Sequence, residues 1–167
     1  MRIAAASGAL AWILILHAVA TAPSADLPAT LPWGLVNLMH AATHAVLAVL
    51  LLRSFCGISP REAAWPGIAT GTGRVILLLT LVHGLHEEGT QIAAAGRSCS
   101  LADLVLDLFG AVAVLVAPWP RGAGRPLSWK PLLWTLLAMV LAATALGEWS
   151  AFDGLLAPLL KPIADAI

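Results

Sequence analysis

Charged residues are scarce in this sequence, and their signs balance. Asp, Glu, Lys and Arg make up 11% of the 167 residues, and the formal net charge is zero. Proteins that bind nucleic acid carry a basic face. The balance of charge therefore excludes nucleic acid as a partner.

The polar alternation of a membrane β-barrel is also lacking. The apolar runs are blocks of Leu, Ala and Val without a period of two, and each run is too long for a barrel strand. Hydrophobic residues supply 60% of the chain, and the mean hydropathy of +0.90 lies outside the range of ordinary soluble domains. These features indicate a helical membrane protein.

The apolar runs have the length of transmembrane helices, which need about 20 mostly apolar residues. We predict an all-α fold: one domain formed by a bundle of five transmembrane helices over residues 4–22, 34–53, 68–91, 101–118 and 128–147. Residues 152–166 mix Leu and Ile with charged side chains, which predicts a short C-terminal interfacial helix.

The distribution of Lys and Arg predicts the orientation, because short loops rich in these residues stay cytoplasmic. Seven of the nine basic residues flank one side of the predicted bundle, and only Arg97 and Lys161 flank the other. We therefore expect a multi-pass protein of the plasma membrane with a cytoplasmic N-terminus and an extracytoplasmic C-terminus. Cys56 and Cys99 then lie on opposite sides, which excludes a disulfide-exchange enzyme, since its cysteines must be neighbours.

The histidines are concentrated at one depth in this topology. All five fall in the outer half of the predicted bundle: His17, His40, His44, His83 and His86. His40 and His44 are four residues apart, as are His83 and Glu87, so each pair projects from one face of its helix. Ionisable groups within a membrane cost on the order of 2.5–3.5 kcal/mol each on insertion scales, and they are candidate functional residues by default.

Several interpretations of the histidines stay open at the level of sequence. They can join helices through hydrogen bonds, worth about 0.6 kcal/mol per contact in membranes. They can bind a metal, for which His40, His44, His83 and Glu87 form the obvious ligand set, or hold a haem between His40 or His44 and His83. The zinc-protease pattern His-Glu-x-x-His is absent, because Thr90 stands at its second histidine. The sequence alone thus assigns no metal and no cofactor.

The start of the fourth predicted helix combines a cap with a nearby cation. Ser100-Leu-Ala-Asp103 has the form of a capping box, with Ser100 as N-cap. A helix N-terminus beside an arginine is a ready site for a phosphate or carboxylate, and Arg97 lies just before it. Glu88, Gln91 and Arg97 can equally form a salt-bridge network that only fixes the loop.

One set of polar residues resembles the pattern of the VanZ-like family, small bacterial membrane proteins named for teicoplanin resistance. The set is Glu-x-x-Gln followed by Arg, Asp, a polar residue and Gly at intervals of six, six, four and three, formed by Glu88, Gln91, Arg97, Asp103, Asp107 and Gly110. Asp107 stands where the family usually has Asn. Upstream, where the family resembles Asp-Lys-x-x-His-x-x-x-Tyr, only His40 is retained and His44 replaces the tyrosine. The resemblance covers about residues 10–118.

The resemblance implies a four- or five-helix protein of the bacterial plasma membrane with a cell-envelope role, in a family associated with lowered susceptibility to glycopeptide antibiotics. We expect an outer-half polar pocket that binds or modifies an anionic lipid or envelope head group. The expected catalytic residues are Glu88, His40 and His83, and the expected substrate-binding residues are Gln91, Arg97, Ser100 and Asp103. The expected partners are membrane lipids.

Two other functions compete with this expectation. One is a non-catalytic accessory subunit of a larger membrane complex, in which the histidines pack or hold a haem or metal. The other is an intramembrane protease of the type that carries Glu-Glu-x-x-x-Arg, prompted by Glu87 and Glu88. Ile92 occupies the position where that arginine belongs, so the protease pattern is incomplete.

Overall fold

A computed structural model describes residues 2–22, 33–56, 68–94, 99–116, 158–162 and 165. Four long helices form most of this part of the chain: α1 (Arg2–Thr21), α2 (Trp33–Cys56), α3 (Gly71–Ala93) and α4 (Leu101–Val116). Residues 158–162, within the predicted interfacial helix, are also helical. These residues include no strand, so the predicted all-α fold is confirmed for them. The predicted fifth transmembrane helix at 128–147 lies outside the described residues, as does most of the predicted interfacial helix.

Two of the helices are long and apolar enough to cross a membrane. They contribute the segments Ile3–Thr21 and Leu38–Cys56, of 19 residues each. Helix α3 is less apolar because its second half carries two histidines and two glutamates, and α4 has 16 residues. Two of the five predicted spans therefore meet this test within the part of the chain that is described.

Successive helices run in opposite directions. The Trp12 indole of α1 donates a hydrogen bond to the carbonyl oxygen of Thr43 in α2, at 2.9 Å. His44 of α2 contacts His83 of α3, whereas Leu52, further along α2, packs near Ile76 at the start of α3. Helix α4 then returns beside α2, and the four helices form an up-down-up-down arrangement.

The bundle has an apolar end and a polar end. At the apolar end a buried core joins α2, α3 and α4 through Ala48, Leu52, Ile76, Ala111, Val114 and Leu115. At the polar end, where α3 finishes and α4 begins, the buried positions of α3 are mostly polar or glycine: His83, Gly84, Glu87, Glu88, Gly89, Thr90 and Gln91. The candidate site lies between the helices at this end.

Large apolar side chains cover the outside of the described helices. Leu10 and Leu14 of α1 are each 59% exposed, and Leu78 and Val82 of α3 are 58% and 56% exposed. On α3, apolar groups thus face outward while His83, Glu87 and Glu88 are buried.

Candidate functional site

Six titratable side chains from three helices meet at the polar end of the bundle. We call them the histidine–carboxylate cluster: His40 and His44 from α2, His83 and Glu87 from α3, and Asp103 and Asp107 from α4. The i, i+4 spacing on α2 and α3, and the same spacing of the two aspartates on α4, place each pair on the inward face of its helix.

Two glycines allow the three helices to approach closely enough for these contacts. A Cβ atom at Gly110 would overlap the carbonyl oxygen of Ala41 and lie 2.9 Å from the amide nitrogen of Ala45, so the backbones of α4 and α2 touch here. A Cβ atom at Gly84 would lie 2.9 Å from the Oδ2 atom of Asp107. Gly110 thus brings α4 onto α2, and Gly84 leaves room for the Asp107 carboxylate against α3.

Asp107 is the centre of the cluster and is fully buried. Its Oδ1 atom lies 2.8 Å from Nδ1 of His44 and 3.2 Å from Nδ1 of His40. Nδ1 of His44 also lies 3.2 Å from the carbonyl oxygen of His40. Because both neighbours of this nitrogen are acceptors, Nδ1 of His44 carries a hydrogen and donates it.

The other nitrogen of His44 faces α3. Its Nε2 atom lies 3.2 Å from Oε2 of Glu87 and 3.3 Å from Nδ1 of His83, and the last two atoms are 3.6 Å apart. All three side chains are buried. These three atoms form a compact triangle. Among the described residues, His44, His83 and Glu87 are the group that could hold a metal ion together.

His40 is not part of this triangle, although the metal set predicted from the sequence includes it with His44, His83 and Glu87. Its Nδ1 atom contacts Asp107, and its Nε2 atom lies 3.7 Å from Oδ2 of Asp103. It therefore bridges two aspartates of α4, while His44, one turn further along α2, reaches α3. A haem between His44 and His83 does not fit this geometry, because the Glu87 carboxylate lies against both nitrogens, where the porphyrin would have to lie.

The start of α4 is capped by Ser100, which precedes it, and by Glu88 of α3. Ser100 Oγ accepts a hydrogen bond from the Asp103 backbone N–H at 3.3 Å, as the capping box predicts. The box also predicts that Asp103 reaches back to the Ser100 backbone N–H, but that N–H donates to Oε2 of Glu88 instead. Glu88 thus places a carboxylate at the positive end of α4, and Asp103 faces His40.

The cluster forms a chain of alternating carboxylates and imidazoles. Its order is Asp103, His40, Asp107, His44 and then Glu87 with His83. The Asp103 end is the more accessible, with side chains of Asp103 and His40 that are 13% and 18% exposed. Such chains of acids and histidines pass protons in membrane pumps and transporters.

The residues expected from the sequence differ in where they lie. His40, His83 and Asp103 belong to the cluster, Ser100 starts α4, and Glu88 is buried against it. Gln91 is buried at the end of α3, where its carbonyl oxygen accepts a hydrogen bond from Ala94. Arg97, the expected anion ligand, lies outside the described residues.

The expected catalytic and binding residues leave out three members of the cluster. These are His44, Glu87 and Asp107, which make its shortest contacts. The i, i+4 spacing from His40 and His83 indicates the first two, and the sequence places them in the candidate metal set rather than among the catalytic residues. Asp107 could have been found from its spacing of four residues after Asp103. Conversely, His17 and His86 stack on each other, with ring centroids 5.3 Å apart, and take no part in the cluster contacts.

No protein-family model, curated protein or solved structure matches this chain. The geometry of the cluster therefore carries the functional argument.

Proposed function

We propose that this protein is an integral membrane protein of a bacterial plasma membrane, with five transmembrane helices, a cytoplasmic N-terminus and an extracytoplasmic C-terminus. The observation that supports a membrane location is the distribution of polarity: Leu10, Leu14, Leu78 and Val82 face outward, while most histidines and carboxylates of the cluster are buried between helices. Water favours the reverse distribution, and hydrocarbon favours this one.

Alkaline carbonate extraction of membranes from cells that express the full chain tests this location. An integral protein stays in the membrane pellet, because its apolar surface cannot enter water. Release of the folded chain into the carbonate supernatant would contradict the proposal.

We further propose that the site binds an anionic lipid or envelope head group and acts on it, as the VanZ-like resemblance implies. The single observation that carries this proposal is the alternating chain that begins at Asp103 and His40. Those two side chains are its accessible end, and they lie beside the Ser100 helix start, near which the sequence places Arg97. A head group held by Arg97 would meet a ready set of proton donors and acceptors.

Three of the expected residues then have a role. Arg97 supplies the positive charge for the anion. His40 orients the head group or exchanges a proton with it, and Asp107 fixes the His40 ring through the contact to Nδ1. Glu88 has one oxygen bonded to Ser100 and a second oxygen without a hydrogen-bond partner within the described residues, which leaves that oxygen for a ligand.

Mass spectrometry of lipids that co-purify with the protein tests the head-group proposal. We expect an anionic lipid or envelope-lipid class to be enriched over the bulk membrane in the wild type and lost in Arg97→Ala. Arg53→Ala is the matched control, because Arg53 is an exposed arginine at the far end of α2, and it should keep the enrichment.

Glu88→Gln separates binding from chemistry. The variant protein should stay folded and monodisperse and should keep the bound lipid, but it should no longer turn that lipid over.

The absence of lipid enrichment in the wild type, or equal enrichment in Arg97→Ala, would overturn the head-group proposal. A chain that purifies only with a partner subunit would support the accessory-subunit alternative in its place.

A further inference from the structure

We propose that His44, His83 and Glu87 form a binding site for a divalent transition-metal ion such as Zn²⁺. The proposal is distinct from the head-group proposal, because it concerns the buried α2–α3 end of the cluster and not the accessible end at Asp103 and His40.

The triangle of donor atoms has the size of a tetrahedral metal site. Its edges measure 3.2 Å, 3.3 Å and 3.6 Å. Ligand atoms about 2.0–2.1 Å from a tetrahedral Zn²⁺ are separated from one another by about 3.3–3.4 Å. An ion near the centre of the triangle would therefore reach all three atoms with little movement of the side chains.

The surroundings of His44 are those of a metal ligand. Its Nδ1–H points to Asp107 and to the carbonyl oxygen of His40, so the lone pair of the neutral ring is on Nε2, the atom in the triangle. Metal-ligating histidines almost always donate their other N–H to a carboxylate or carbonyl group, which fixes the tautomer and raises the basicity of the ligand. Asp107 is fully buried and serves that purpose here.

The contact between His44 and Glu87 also requires a proton or a metal ion between the two atoms. It brings the Nε2 lone pair of His44 within 3.2 Å of the Glu87 carboxylate, in a region from which water is excluded. Two acceptors at that distance repel each other unless a proton or a metal ion lies between them. The described residues of the cluster contain no lysine or arginine that could supply the charge.

The donor set favours one class of ion. Two imidazole nitrogens and one carboxylate oxygen suit Zn²⁺, Co²⁺ and their neighbours, whereas Mg²⁺ and Ca²⁺ prefer oxygen ligands throughout. The described residues add no fourth ligand to the group of three. Three protein ligands with an open fourth position are the arrangement of catalytic zinc sites rather than closed structural ones.

Titration of the purified full chain in detergent with Co²⁺ and Zn²⁺ tests the proposal, with any affinity tag removed and the protein first treated with a chelator. We expect one Co²⁺ per chain, with visible absorption bands of tetrahedral intensity that disappear when Zn²⁺ displaces the Co²⁺. His44→Gln, His83→Gln and Glu87→Gln should each abolish these bands. Asp107→Asn removes the negative charge behind His44 but no metal ligand, and it should weaken binding by about 10–100-fold.

His17→Gln and His86→Gln are the matched controls, because this stacked pair lies outside the triangle. Both should bind Co²⁺ with the affinity of the wild type. A wild type that binds no Co²⁺ or Zn²⁺ would overturn the proposal and leave a proton between His44 and Glu87. Tetrahedral bands that persist in His83→Gln, or that vanish in His86→Gln, would overturn it as well, and the wild-type titration decides the question even if a variant fails to fold.

Discussion

Asp107 has a structural importance that its partner on the same helix face, Asp103, does not share. Asp107 is fully buried and contacts both His40 and His44 of α2. The Asp103 side chain is 13% exposed and lies 3.7 Å from His40. We expect Asp107→Asn to lower the free energy of unfolding by about 1.5–3 kcal/mol, the range for hydrogen bonds to a charged group. Asp103→Asn should lower it by less, because the contact of Asp103 to His40 is longer and both side chains are partly exposed. Unfolding in mixed detergent micelles, followed by circular dichroism, measures both, and equal losses would contradict the difference in roles.

For single residues, the sequence indicates which side chains share a helix face but not which helix faces meet. The i, i+4 spacing paired His40 with His44 and His83 with Glu87. It could not show that His44 reaches α3 while His40 reaches α4, because that depends on how far one helix is shifted along another. Nor could it show that Glu88 takes the Ser100 N–H in place of Asp103, since a cap supplied from another helix leaves no local pattern.

At the scale of the helices, Gly110 controls the distance between α2 and α4. Gly110→Ala would push a methyl group into the backbone of α2 at Ala41 and Ala45, which cannot move aside as a side chain can. We expect a loss of about 1–3 kcal/mol in the free energy of unfolding, and weaker Co²⁺ binding because His44 shifts relative to Asp107. Gly71→Ala is the control: a Cβ there meets nothing within 4 Å, so stability should stay unchanged or rise by up to about 1 kcal/mol. A Gly110→Ala protein as stable as Gly71→Ala would show that the helices are not in backbone contact.

The existence of the four described helices could be predicted from the apolar runs, since long blocks of Leu, Ala and Val leave no other structure in a membrane. Most of their ends could not, and the exception is the start of α4 at Leu101, where the Ser100 cap is recognisable in the sequence. Helix α3 begins at Gly71 rather than at residue 68 because Thr70 caps it, accepting a hydrogen bond from the Gly73 N–H at 3.0 Å.

For the whole molecule, the direction of the helices and the position of the basic residues are consistent with one another. Arg53 at the end of α2 and Arg74 at the start of α3 are both exposed and lie at the apolar end of the bundle, opposite the cluster. If short basic loops stay in the cytoplasm, the histidine–carboxylate cluster lies in the extracytoplasmic half. A head group of the outer leaflet or of an envelope precursor could then reach Asp103 and His40 without crossing the membrane.

Cysteine labelling tests this orientation. With Cys56 and Cys99 replaced by serine, we expect a membrane-impermeant maleimide to label Ser98→Cys, in the α3–α4 connection, on intact spheroplasts. Ser59→Cys, in the α2–α3 connection, should react only after the membrane is permeabilised, because the proposed topology keeps this short basic connection in the cytoplasm. The reverse pattern would place the cluster in the cytoplasmic half and remove the route for an outer head group, whereas labelling of both positions on intact spheroplasts would mean that α3 does not cross the membrane.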